Sequence, residues 1–251
     1  MATFFISDLH LGSNKAEIQS QALEFLSQEA PHGETLYILG DLFDYWIGDD
    51  APTTEGLAIT QALRRLSEAG LNLYFIPGNR DFLVGRAFAQ ASGCRILQDP
   101  TLIDLYGVST LLTHGDMLCT DDVAYQKARA RLRRPLFLRT YLALPKSWRC
   151  AIARHLRRRS QTHTQQQPLA IMDVNQAAVE AALQTHGAKR LIHGHTHRPA
   201  VHHFSVDGHP KQRIVLGDWD RGKSILTCTG EGFYFLDPQI SEPHFNHHLP
   251  A

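Results

Sequence analysis

Five short motifs in this sequence carry side chains able to hold metal: Asp8-Leu9-His10, Gly40-Asp41-Leu42-Phe43-Asp44, Gly78-Asn79-Arg80-Asp81, His114-Gly115-Asp116 and His193-Gly194-His195-Thr196-His197. Seven of their residues, Asp8, His10, Asp41, Asn79, His114, His195 and His197, offer oxygen or imidazole nitrogen and no thiolate. That donor set suits Mn2+ or a similar octahedral ion better than structural zinc. The D-x-H and H-x-H spacings are short enough for two side chains to share one centre. Seven protein ligands exceed what a single ion with an open water position needs, so two ions are expected. A carboxylate such as Asp41 would bridge them at about 3.5–4 Å, with a hydroxide held between. The chemistry natural to such a pair is hydrolysis of a phosphate ester or anhydride. Each motif alone is weak, since an H-x-H pair also occurs in plain polar loops. Five together, all in the same setting, are not.

That setting is the end of an apolar run. Thr3–Ser7, Thr35–Leu39, Leu71–Ile76, Val108–Thr113 and Arg190–Ile192 read as buried strands, each delivering one motif. Open α/β sheets gather their ligands at such strand ends. Gly40 lets the backbone come close to whatever Asp41 binds. Helical patterns lie between the strands: Lys15–Glu29, a helix capped by Thr54 that runs through Glu68 to Gly70, and a short one over Leu83–Ala91. A further helix opens on an Asp173/Gln176 capping box and ends at Thr185. Cys94–Leu97 and Leu102–Leu105 read as hairpin-like runs. Val201–Val206, Arg213–Leu216, Lys223–Cys228 and Gly232–Leu236 close the chain as strands, and His244, His247 and His248 read as a solvated tail. This order predicts a layered α/β domain.

The chain of 251 residues, 43% hydrophobic and 20% charged, has the composition of an ordinary globular protein. Four dispersed cysteines suggest a reducing compartment rather than a disulfide framework. The start lacks a secretory pattern and no stretch approaches a bilayer span, so a cytoplasmic location is expected. The formal net charge of zero hides a segregation. Twelve of the 25 basic residues lie between Val123 and Met172, where there is no acid, leaving thirteen against all 25 acids elsewhere. In that segment helical patterns over Asp122–Arg134, Leu136–Leu144 and Trp148–Arg159 interleave the cations with leucines and aromatics. Such a segment is a concentrated cationic surface on an acidic body, and its interleaved leucines and aromatics can lie against an anionic membrane face. A nucleic-acid backbone, with or without nuclease chemistry, is the competing partner. A duplex-binding face does not need Leu136, Phe137 or Trp148, so nucleic acid is the weaker expectation. A non-catalytic lipid-binding module would not require seven metal donors.

Taken in order, the five motifs resemble those of the calcineurin-like metallophosphoesterases, from Asp8 to His197. The resemblance implies a four-layer αββα sandwich and a dinuclear centre. In it Asp8, His10, Asp41 and His197 hold one ion, and Asp41, Asn79, His114 and His195 the other. Many members read Gly-Asn-His where this chain has Gly78-Asn79-Arg80, the histidine acting as general acid. Arg80 cannot release a proton near neutral pH but can clamp phosphate oxygens, which suits a phosphate leaving group. Gly78-Asn79-Arg80-Asp81-Phe82, Phe43 to Asp50 and the basic insert are similar to one branch of the family, in the lipid A pathway of Gram-negative bacteria. Its members split a UDP-linked diacylated glucosamine into UMP and diacylglucosamine 1-phosphate. The similarity implies attack of metal-bound hydroxide on the α-phosphorus, peripheral attachment to the anionic inner-membrane surface and no obligatory protein partner. Asp41, Asn79, Arg80 and His195 would serve catalysis. The core would comprise residues 1–121 and 171–251, with 122–170 a helical lid over the sugar and acyl chains. Substrate would meet Asn79, Arg80, His195 and, on the lid, Asp122, Arg157 and Ser160. Thr164 and Gln167 stand where that branch is expected to carry Asn and Lys.

Other polar residues receive plainer expectations. Asp44 and Asp116 are outer partners that orient ligands, and His193 is a buried or outer-partner histidine rather than an eighth ligand. Asp49 and Asp50 are either solvated loop charges or functional groups. Arg157 to Arg159 form a binding surface, because no acid lies near them in sequence. His202, His203 and His209 are surface residues, and Cys119 packs.

Overall fold

Alternating side chains along the first strands feed two different cores, and that alternation builds the layers. The computed structural model describes residues 2–12, 15–166, 173–238 and 244–245. The chain runs β1 (Thr3–Ile6), α1 (Ala16–Glu24), β2 (Thr35–Ile38), α2 (Thr54–Glu68), β3 (Asn72–Phe75), α3 (Arg86–Ser92) and β4 (Arg95–Ile96). It continues through β5 (Thr101–Leu105), β6 (Val108–Thr113), α4 (Val123–Leu132), α5 (Pro135–Leu142), α6 (Lys146–Gln166) and α7 (Gln176–Thr185). The last elements are β7 (Arg190–His193), β8 (Ala200–Val206), β9 (His209–Val215), β10 (Ile225–Cys228), β11 (Phe233–Leu236) and β12 (His244–Phe245).

Phe4 and Ile6 of β1, with Leu36 and Ile38 of β2, face the core shared with α1 and α2. Phe5 between them faces a second core with Leu112, Ile192 and Ile214 of the other sheet. Leu111 and Leu191 point the opposite way, into a third core against Val179 and Leu183 of α7. Three apolar seams separate four layers: helices, a seven-stranded sheet, a five-stranded sheet and a helix. The strand orders are β12-β11-β10-β1-β2-β3-β4 and β5-β6-β7-β9-β8. β1, β2 and β3 are parallel neighbours, as are β6, β7 and β9. Parallel strands point their C-terminal ends the same way, so the motifs after β1, β2, β3, β6 and β7 collect on one edge of the sandwich.

Several local expectations are corrected. Thr53, not Thr54, caps α2, its side chain accepting from the Gly56 amide. Asn175, not Asp173, caps α7 by accepting from Ala178 N. Side-chain type alone left the cap register ambiguous by one or two positions in both cases. The first helix stops at Glu24 and loosens into a π-helical turn over Phe25–Glu29 and a 3-10 turn over Ala30–His32. β4 is no hairpin arm: it adds parallel to β3, whereas β5 does form a hairpin, with β6. His244 belongs to β12 beside β11 rather than to a free tail; His247 and His248 lie outside the described residues.

Candidate metal centre

Five of the seven expected donors sit on left-handed backbone: Asp8 (φ 57°), His10 (49°), Asp41 (51°), His195 (70°) and His197 (54°). Non-glycine residues rarely adopt this region, and each instance costs about 1–3 kcal/mol unless surrounding structure enforces it. The enforcement is visible. Asp8 N donates to Gly40 O at 3.1 Å and His10 N to Asp41 O at 2.9 Å, lacing the loop after β1 to that after β2. Gly40 (φ 84°) admits this approach, since a Cβ there would stand 2.6 Å from Gly78 Cα and from His114 Nδ1. Asp8 is aimed by Ser7 Oγ (2.7 Å) and His195 N (2.8 Å), both donating to Oδ2.

All seven expected donors converge. His10 and His197 bring their Nε2 atoms within 3.2 Å, and Asp8 Oδ1 lies 3.3 Å from His197 Nε2. Asp41 extends one oxygen to within 3.8 Å of His10 Nδ1 and the other to within 3.6 Å of His114 Nε2. Asn79 Oδ1 meets His114 Nε2 at 2.9 Å, and the His195 ring lies edge-on to His114 at 5.0 Å between centroids. Two clusters have donor atoms within 4.8 Å of one another: Asp8, His10, His197 and Asp8, Asp41, His114. Asp8 is common to both, whereas the resemblance makes Asp41 the shared carboxylate. Asp41 nonetheless touches histidines of both clusters through its two oxygens.

The donors fit divalent cations. Asp8 Oδ1 and His10 Nδ1 are buried with no hydrogen-bond partner. Leaving a buried polar atom unpaired costs about 1–3 kcal/mol, a deficit that a coordinated ion removes. The outer nitrogens of two histidines are held, as metal-bound imidazoles require: His197 Nδ1 by Asp218 Oδ2 at 2.9 Å, His114 Nδ1 by the Leu39 carbonyl at 2.8 Å. Burial draws the pKa of His195 down to about 3, with His114 adding to it, so His195 is neutral. Burial also holds His10 well below its usual range. For His114 burial acts downward but is outweighed by Asp41 and Asp8, which lift it to about 9. For His197 burial is likewise outweighed, first by Asp8 and then by Asp218, giving about 10. Asp8 stays well below the ordinary carboxylate range because His197 and its neighbours overcome the effect of burial.

Two supporting acids escaped the sequence reading. Asp81, fully buried, accepts from the amides of Gly78 and Leu42 at 2.8 Å and of Asp41 and Phe43 at 3.3 Å, tying the β2 and β3 loops together. Burial, with Asp41 beside it, pushes its pKa up to about 7. Asp218 follows Leu216-Gly217 at the end of β9, the same strand–glycine–acid pattern as Leu39-Gly40-Asp41. That repeat was the signal available for it.

The remaining polar expectations divide. His193 is fully buried and His202, His203 and His209 are exposed, as expected. Asp49, partly exposed, accepts from the Gly85, Ala87 and Phe88 amides and so caps α3. Asp50 pairs with Arg149, whose Nη1 also donates to Ile47 O at 2.6 Å. The premise that Arg157 has no acidic partner is wrong, because Asp44 pairs with it across more than a hundred residues. Asp116 touches no donor and is held by α4 instead, through Tyr125 and Arg129. Asp122 caps α4, accepting from Tyr125 N. Arg80 N donates to Asp41 Oδ1 at 2.8 Å, while its buried Nε has no hydrogen-bond partner. Ser160 and Thr164 fall on α6 where only the backbone is described, and Gln167 lies outside the described residues.

The calcineurin-like phosphoesterase profile matches residues 1–199. This chain belongs to the calcineurin-like phosphoesterase family. A relative from Nitrosococcus oceani named UDP-2,3-diacylglucosamine hydrolase is 76% identical over 245 residues, 98% of each chain. Relatives of the same name from Aeromonas salmonicida and Xanthomonas axonopodis are 51% and 49% identical. They cover 91% and 92% of this chain, and 90% and 97% of their own. Calcineurin-like phosphoesterases are metal-dependent hydrolases with a dinuclear divalent site, and the Asp/His cluster here lies within the matched residues. Among the described residues no helix is long and apolar enough to cross a membrane.

Proposed function

We propose that the protein hydrolyses the pyrophosphate bond of UDP-2,3-diacylglucosamine, giving UMP and 2,3-diacylglucosamine 1-phosphate. The observation that carries this reading is 76% identity across 98% of the chain to a relative of that name. Asp8, His10, Asp41 and His197 are assigned to one Mn2+, and Asp41, Asn79, His114 and His195 to the other. When bound, the ions supply Lewis acidity and an activated water at neutral pH. Arg80 grips the substrate phosphate with its fork, held beside the centre by the approach of its Nε to Asp41 Oδ2 at 3.9 Å. It supplies charge and no proton, which is sufficient because the departing phosphate is stable as an anion. His195, neutral by burial, and Asn79 contact the equatorial oxygens.

The basic insert receives the lipid half. Leu136 (74% exposed) and Trp148 (62%) stand in water beside the exposed Arg134, Arg139 and Lys146. That mixture suits an anionic bilayer face, to which the protein attaches peripherally from the cytoplasm. Arg157, with Asp122, Ser160, Thr164 and Gln167, is assigned to the sugar-phosphate end. Mn2+-dependent UMP release from the diacylated substrate, and not from UDP-sugars lacking acyl chains, tests the specificity. Hydrolysis in 18O-water tests the position of attack. Label in UMP is expected; label in the lipid phosphate contradicts attack at the α-phosphorus. Salt-sensitive retention of RNA or DNA would favour the nuclease reading instead.

A further inference from the structure

Helix α4 lies against both loops that present Asn79 and His114. Arg129 Nε donates to Asp116 Oδ2 at 2.7 Å, and its Nη2 stands 3.6 Å from Asp99 Oδ2. One turn further, Arg133 Nη2 donates to the Gly78 carbonyl at 3.1 Å and lies 3.5 Å from Asp116 Oδ2. Its guanidinium sits over the Phe82 ring at 5.8 Å. Tyr125 Oη donates to Asp116 Oδ2 at 2.8 Å, and Gln126 Nε2 to the carbonyls of Asp116 and Cys119. Residues at i, i+4 and i+8 share a helix face, so Tyr125, Arg129 and Arg133 form one stripe. Asp116 is fully buried and two residues beyond His114, and Gly78 immediately precedes Asn79. Asp99, the third anchor, accepts from Thr113 Oγ1 and from His114 N. The stripe therefore holds the chain on either side of the Asn79–His114 contact. On the opposite half Asp8, His10 and His197 are fixed by the β1–β2 lacing and by Asp218, and the insert's contact on that side is Arg157 of α6 with Asp44 rather than α4.

We propose that Arg129 and Arg133 are positioning residues that set the approach of Asn79 to His114, so that docking of the helical insert completes one half of the metal centre. The inference rests on the two-ion reading above. It makes the two ion sites unequal in their need for α4: one is built without it, the other only with α4 seated on the loops of Asn79 and His114.

Mn2+ binding to the full-length protein, followed by calorimetry and by the spin-coupled EPR signal of an ion pair, tests this. Wild type is expected to take two ions. Arg133→Met is expected to lose tenfold or more in affinity for one ion, leave the other within twofold and replace the coupled signal by that of isolated Mn2+. Arg133→Lys, which keeps a donor near Gly78 and Asp116, should restore part of the loss. Tyr125→Phe deletes one hydroxyl from the same face without removing a charge and should weaken the same ion by a smaller factor. Equal weakening of both ions, or wild-type binding of both in Arg133→Met and Tyr125→Phe, overturns the proposal. Uptake of a single ion by wild type overturns the two-ion reading itself, and the proposal with it.

Discussion

Replacing Asp81 by Asn changes little in size, yet it should loosen the centre from behind. The native carboxylate accepts four backbone amides, two on each oxygen, one short and one long. An amide keeps one accepting oxygen and turns an NH2 group toward the other pair. At least one 2.8 Å bond, to Gly78 or to Leu42, is lost in a fully buried site. A buried donor left unpaired costs about 1–3 kcal/mol, and with the facing NH2 repulsion we expect about 2–4 kcal/mol. For a chain of this size 1 kcal/mol moves Tm by about 2–4 °C, so a fall of roughly 4–16 °C is expected. Differential scanning calorimetry of the metal-free protein at pH 8.5, where the Asp81 carboxyl is ionised, reads this directly. Mn2+ affinity should fall as well, because the same four amides fix Asp41 and the Gly78-Asn79 turn. Asp81→Ala leaves all four donors bare and should cost more. A Tm within 2 °C of wild type together with unchanged Mn2+ affinity in Asp81→Asn would refute the reasoning.

Three further outcomes are expected. Arg80→Ala should cut turnover about 100-fold or more, the effect of removing one transition-state donor, while bound metal measured by elemental analysis stays at the wild-type level; unchanged turnover removes its assigned role. In metal-free protein the raised pKa values of His114, about 9, and His197, about 10, contribute stability that is complete below pH 6.5 and lost as pH rises through those values. Because bound ions replace those protons, the gap in Tm between Mn2+-loaded and EDTA-treated protein should widen from pH 6.5 to 9.5, and a flat or narrowing gap in thermal melts counts against it. Leu136→Ser with Trp148→Ser should abolish co-sedimentation with phosphatidylglycerol vesicles; retention equal to wild type would relocate the membrane face.

The ligand-bearing edge was legible because two independent signals coincide in the sequence: an apolar run and an oxygen or imidazole donor immediately after it. Periodicity also indicated the helices packed on the sheets, since α2 and α7 carry their buried residues at helical spacing. What could not be read was register and partnership. Thr53 and Thr54 are equally good caps by type, and only backbone geometry separates them. The short β4 has too few residues to declare its neighbour, so its parallel addition to β3 emerges only in three dimensions. Charge pairing failed for a related reason. Arg157, Arg149 and Arg129 find Asp44, Asp50 and Asp116 in loops of the core, and an acid-free stretch of sequence says nothing about acids brought to it by folding. Asp81 stands inside one of the five motifs, but nothing in its type distinguishes a buried acceptor of amides from a solvated carboxylate.

The left-handed turns at Asp8, His10, Asp41, His195 and His197 also bear on how this protein can be altered. Relaxing disfavoured backbone, for instance by placing glycine there, is an ordinary route to a more heat-resistant chain. Here each of these five positions carries an imidazole or carboxylate of the cluster, unlike the left-handed Tyr106 and Asp207. Ruggedness gained at these five places would come at the expense of the ions, so hardening the molecule has to begin elsewhere.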